Sequence, residues 1–88
     1  MVKYKQTYIN HFNLTIGDTI WDEYEWGVNN KLVVAVDIHH IVHGASRHDD
    51  ITNLMAVSRN NHNKCHSEEL NRYFLKRVHL QFMKNNPY

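Results

Sequence analysis

The sequence predicts a small α+β domain, and three stretches carry that reading. A β-branched run, LVVAVDI at residues 32–38, is bounded by a turn signal and reads as a strand. A second short apolar segment at 54–57 can pair with it. An apolar stripe, Leu70, Phe74, Val78 and Phe82, recurs every four residues near the C-terminus and reads as a long packing helix. Eighty-eight residues make one domain, spanning 1–88.

In chain order, the first thirty residues hold most of the aromatic mass, including Tyr4, Tyr8, Phe12, Trp21, Tyr24 and Trp26. They are expected to pack as an irregular lid over the core. Gly17-Asp18 reads as a turn, and Asn29-Asn30 as another, of a hairpin or otherwise. His39 and His40 end the first strand, on opposite faces if it continues that far. Residues 42–50 (VHGASRHDD) form a polar loop. Residues 60–66 read as a short helix. Ser67 is then expected to cap the long helix, with Glu68 and Glu69 in its first turn. Tyr73 joins the apolar stripe, so Tyr73 and Phe74 are read as core. Pro87 lies beyond the helix end.

Such a chain buries only about 60–65% of the surface that its unfolded form exposes. Small domains gain stability from disulfides, a metal or self-association. Cys65 is the only cysteine, so no disulfide forms within one copy. Together with the absence of an apolar leader or a membrane-length run, this leads us to expect a cytoplasmic protein. Charge is uneven: residues 1–57 carry four Lys and Arg against seven Asp and Glu, and residues 58–88 carry six against two. A basic C-terminal third can track phosphates.

The chemistry concentrates in the histidines. His39-His40, followed some twenty residues later by His62-x-x-x-His66, supplies three metal ligands and one spare imidazole. On a helix, His62 and His66 project from one face a single turn apart, suited to one shared ion. An imidazole beside a metal is what a hydrolase needs to activate water.

The segments VDIHHI, Asn53-Leu54 and NHNKCH resemble the motif of the HNH endonucleases, the ββα-metal or His-Me finger nucleases. The spacings agree, with 13 residues from His40 to Asn53, 9 to His62 and 4 to His66. The resemblance covers 32–66 and implies a ββα-metal core within the α+β domain. It also implies roles. His39, His62 and His66 bind one divalent ion, Mg2+, Mn2+, Ni2+ or Zn2+. His40 is the general base. Asn53 pins the loop through backbone hydrogen bonds and so orients His40, and Asp37 assists the site. The implied activity is phosphodiester hydrolysis in DNA, most readily double-stranded, leaving 5′-phosphate and 3′-hydroxyl ends.

Many members of that family, unlike the phage or bacterial type that this chain resembles, hold the core with a structural zinc on two C-x-x-C pairs. The corresponding positions here are Asp22, Glu25, Ser58 and Asn61, none of them cysteine, so no structural zinc is expected. Arg47 and Arg59 lie near the predicted site and can grip phosphate. Lys64, Arg72, Lys76 and Arg77 extend that basic surface. Cys65 is read as a small core residue rather than a competing ligand, His43 and His48 as exposed loop residues, and His11 and His79 as structural or surface. The short chain leaves little room for a specificity domain, so a homodimer or a larger protein partner is open. The rival reading is an HNH-fold protein that binds nucleic acid or a partner without cutting. His40 separates the two, because a binding module needs ligands but no second imidazole beside them.

Overall fold

Two four-residue strands, β1 (Asp37–His40) and β2 (Leu54–Val57), pair antiparallel, with Asp37 opposite Val57 and His40 opposite Leu54. The computed structural model describes residues 2–88. Among these, four α-helices surround the sheet: α1 (Lys3–His11), α2 (Glu23–Asn29), α3 (Arg59–His66) and α4 (Arg72–Lys84). Short 3-10 turns at Gly44–Ser46 and Ile51–Asn53 punctuate the long loop between the strands. No helix among the described residues is long and apolar enough to cross a membrane.

β2 is buried on both faces, and its alternation splits the core in two. Met55 and Val57 pack with Ile41, Cys65, Leu75 and Val78. Leu54 and Ala56 pack with Tyr8, Phe12 and Phe82. A continuous apolar run fits a strand covered on both sides, here by helices from the two ends of the chain.

The strand expected over 32–38 begins later than its β-branched residues do. Residues 33–35 are extended, but their partner is a fragment: Val34 bridges Trp21, Asp22 N–H donates to Val33 O at 2.7 Å, and Ala35 N–H donates to Ile20 O at 2.8 Å. Leu32, Val34 and Val36 point outward and stay more than half exposed. β-branching reports extension; pairing needs a partner, and the facing segment turns into α2 at Asp22.

The N-terminal region is not an irregular lid. It forms α1 and α2. Tyr4, Tyr8 and Phe12 recur every four residues and bury one face of α1 and its exit. Asp22 caps α2, its Oδ1 accepting from Glu25 N–H at 2.8 Å. Asn30 ends α2 in the left-handed region at φ 54°, so Asn29-Asn30 is a helix terminus and not a hairpin turn. Gly17-Asp18 does turn: Asp18 N–H donates to Thr15 O, and Asp18 Oδ2 accepts from Thr15 N–H.

Ser67 is likewise corrected. It ends α3 rather than starting α4. Glu68 then takes φ 63°, which stops helical propagation. Asn71 caps α4, its Oδ1 accepting from Tyr73 and Phe74 N–H. This later start goes with a rotated buried face: Leu75, Val78, His79 and Phe82 turn inward, at i, i+3, i+4 and i+7. Tyr73 and Phe74, expected in the core, are 69% and 41% exposed.

His79 belongs to that face because a buried network satisfies it. Glu23, fully buried on α2, accepts from Tyr8 Oη at 2.6 Å and from Ala56 N–H at 3.1 Å. His79 Nδ1 lies 2.6 Å from Glu23 Oε1, and its Nε2 donates to Ile51 O at 2.6 Å. One carboxylate thus ties α1, α2, β2 and α4 together. Burial pushes its carboxyl up, against the pull of these donors.

Candidate metal centre

Alternation along β1 sends its two histidines to opposite faces. His39 turns toward α3, whose i, i+4 pair His62 and His66 faces it. Ring centroids lie 5.2 Å (His39–His62), 5.5 Å (His39–His66) and 4.5 Å (His62–His66) apart. One nitrogen from each ring falls within 4.8 Å of the other two. His62 Nε2 and His66 Nε2 are 3.0 Å apart. Two nitrogens bound at 2.0–2.1 Å to one ion would stand roughly 3.0–3.4 Å apart, so the pair is already at ligating separation. The three residues therefore fit one divalent cation.

Electrostatics favour the ligand form. Burial, followed by the neighbouring imidazoles His62 and His66, holds His39 down at about 4, so its ring is neutral with a free lone pair at neutral pH. Asp37, at the start of β1, lies 3.0 Å from His62 Nδ1. That partner places the His62 proton on Nδ1 and leaves Nε2 as the ligating atom, the carboxylate–histidine arrangement that orients metal ligands. Arg59 Nε and one terminal nitrogen both donate to Asp37, at 2.7 and 3.0 Å, and hold its carboxyl below the usual range. Asp37 thus contacts His62 directly, and Arg59 is already engaged with it.

His40 faces away from the cluster, 9% exposed, its ring centroid 4.7 Å from that of Tyr4 in a T-shaped contact. Its Nε2 lies 2.7 Å from Asp49 Oδ1. The two faces are nevertheless joined: Tyr4, His39, His40, His43, Arg47, His62 and His66 line one cleft. Asn53, fully buried, holds the loop at three points. Its Oδ1 accepts from Val42 N–H at 2.7 Å, and its Nδ2 donates to Val42 O and His48 O, each at 2.9 Å.

The basic residues divide. Arg47 reaches the cleft and stacks 5.7 Å over Tyr4. Arg72 lies 5.2 Å over Tyr73. Lys76 donates to Thr52 O at 2.6 Å, so it is anchored to the loop. Lys64 is half-buried and Arg77 is exposed. Cys65 sits in the core, where burial pushes its thiol up to about 11 and disfavours the thiolate a metal would need. His11, His43 and His48 are exposed, as expected.

The four positions matched to zinc cysteines also meet. Asp22 Oδ2 accepts from Ser58 N–H at 2.6 Å and from Asn61 Nδ2 at 2.9 Å. Glu25 Oε2 accepts from the same Nδ2 at 2.8 Å, which lowers the Glu25 carboxyl. These hydrogen bonds tie α2 to the start of α3. Sequence reasoning missed Asp49 and Tyr4. Tyr4 carried a signal in its spacing to Tyr8 and Phe12; Asp49, in a polar loop, carried none.

Comparisons of the chain with protein-family models, curated proteins and solved structures found no match.

Proposed function

We propose that this protein is a metal-dependent endonuclease of the HNH type, hydrolysing phosphodiester bonds in DNA with one divalent ion and a histidine base. One observation carries the reading: five imidazoles line one cleft, three of them share a ligating cluster, and another, His40, is held apart by a carboxylate. The order β1, β2, α3, with the histidines on β1 and α3, supports this reading, and on it the hydrogen-bonded cluster of Asp22, Glu25, Ser58 and Asn61 would stand in for a structural zinc.

His39, His62 and His66 would hold the ion, with Asp37 fixing the His62 tautomer. When bound, a divalent cation supplies Lewis-acid stabilisation of charge developing on the phosphoryl and leaving oxygens. His40 takes one proton from a water as the water oxygen bonds phosphorus. The P–O3′ bond breaks, its electron pair leaves on O3′, and O3′ takes a proton from solvent. The products end in 5′-phosphate and 3′-hydroxyl. Asn53 keeps the loop beside His40 in place, and Arg47 offers a guanidinium to a flanking phosphate at the cleft.

The test is incubation of supercoiled plasmid with the protein and Mg2+, Mn2+, Ni2+ or Zn2+ in turn, against a chelator control. Nicked or linear product with 5′-phosphate ends is expected with at least one ion. Binding of DNA without cleavage under every ion would replace the enzyme by a binding module.

A further inference from the structure

The bond between His40 and Asp49 joins a strand to a loop residue that nothing in the sequence singles out. His40 is nearly buried on β1, and Asp49 lies between the two 3-10 turns with its side chain half exposed. The contact, Nε2 to Oδ1 at 2.7 Å, is at the short end for a nitrogen donor to a carboxylate. A carboxylate only accepts, so a neutral His40 must carry its proton on Nε2. Its lone pair is then on Nδ1. Among the described residues Nδ1 has no protein hydrogen-bond partner and is not a sealed orphan atom.

Asp49 is itself held by Asn53. Asn53 Nδ2 donates to His48 O at 2.9 Å, and Asn53 N–H donates to Asp50 O at 2.8 Å. The carbonyls on both sides of Asp49 are therefore fixed by one buried residue. A chain of contacts runs from Asn53 through the backbone at His48 and Asp50 to the Asp49 carboxylate, and on to the His40 ring.

We propose that Asp49 is the positioning residue for His40, locking the Nε2–H tautomer so that Nδ1 is presented as the proton acceptor. The proposal rests on the nuclease reading for its consequence, since Nδ1 is then the atom that takes the proton of the attacking water. The tautomer itself does not depend on that reading. Asn53 reaches His40 through Asp49, so loss of either should misalign the same ring. The neighbouring pair His48–Asp50, at 3.3 Å and largely exposed, has no comparable hold on a buried ring.

The experiment has two arms. In the first, ring-15N histidine is introduced into the metal-free chain, and two-bond 1H–15N spectra are recorded in mildly alkaline buffer, with His40→Gln used for assignment. The parent should show His40 as a single Nε2–H tautomer. Asp49→Ala should populate the Nδ1–H form, whereas Asp49→Asn, which keeps an acceptor oxygen, should retain most of the parent pattern. In the second arm, plasmid cleavage by Asp49→Ala should lose roughly 10- to 100-fold in kcat with KM little changed, the size of loss seen when partners orienting functional histidines are removed; Asp49→Asn should lose less. An Nδ1–H tautomer in the parent, an unaltered spectrum in Asp49→Ala, or parental kcat in that variant overturns the proposal. A parent that cuts nothing overturns the nuclease reading instead, and the spectra alone then decide the tautomer.

Discussion

On the proposed reading, Asp37 would act without touching substrate. It faces His62 Nδ1 and both donors of Arg59, so it fixes a tautomer and is itself fixed. Asp37→Asn keeps the shape and removes the charge. Divalent-ion affinity by calorimetric titration should fall roughly 10- to 100-fold, and an unchanged affinity would show that His62 is not a ligand through Nε2. His39 yields a pH dependence. Its folded value of about 4 lies below the ordinary 6.5, so between these values the unfolded chain binds more protons. Stability of the metal-free chain should therefore drop as pH falls from 6.5 toward 4. The His39 share, read by urea unfolding against His39→Gln, should appear as a steeper loss of stability in the parent over that window. No difference between the two proteins' pH profiles would mean the ring is not desolvated. At this scale the histidine pair of the cluster was legible in the sequence, because i, i+4 spacing on a helix is a local property. Asp49 and Tyr4 were not. They reach His40 through the loop and through α1, and no local pattern records which loop acid will face a given strand residue.

Elements were legible where an apolar run and burial coincide, as in β2. They were misread where polar residues carry the packing. α2 opens with Asp22 and Glu25 in cap spacing, a helix start readable in principle. α4 was read from its apolar residues alone, which set its buried face a fraction of a turn off, because His79 counts as polar in any periodicity. Its partner Glu23 lies 56 residues away, and only the folded chain pairs them. That network predicts a large effect. His79→Ala leaves the buried Glu23 carboxylate short of a donor and the Ile51 carbonyl without its own. Breaking a buried pair from one side costs about 3–5 kcal/mol, a large share of the roughly 5–15 kcal/mol that holds a typical domain together. Urea unfolding monitored by circular dichroism should show that loss; a change under about 1 kcal/mol, typical of an ordinary surface contact, would mean the network is not formed in solution.

Across the whole molecule, the basic surface is narrower than the count of Lys and Arg in the C-terminal third suggests. Arg59 is committed to Asp37 and Lys76 to Thr52 O. Arg47 and Arg72 remain beside His43, on grooves that adjoin the histidine cleft. If duplex DNA crosses there, replacing each by Glu should reduce the log–log salt dependence of binding by about 0.9 for every phosphate no longer neutralised. An unaltered slope in both variants would move the DNA to another face. The fold as a whole brings His40 to the same cleft as the three-histidine cluster while turning it away from that cluster, and the proposed division between base and metal ligands depends on this separation. It is tested most directly by His40→Ala. Cleavage should fall by roughly 100- to 10,000-fold, the usual worth of a general base, while calorimetry finds parental metal affinity and filter binding finds parental DNA affinity. Cleavage at the parental rate, or loss of metal binding together with activity, would contradict the assignment of His40 as the base.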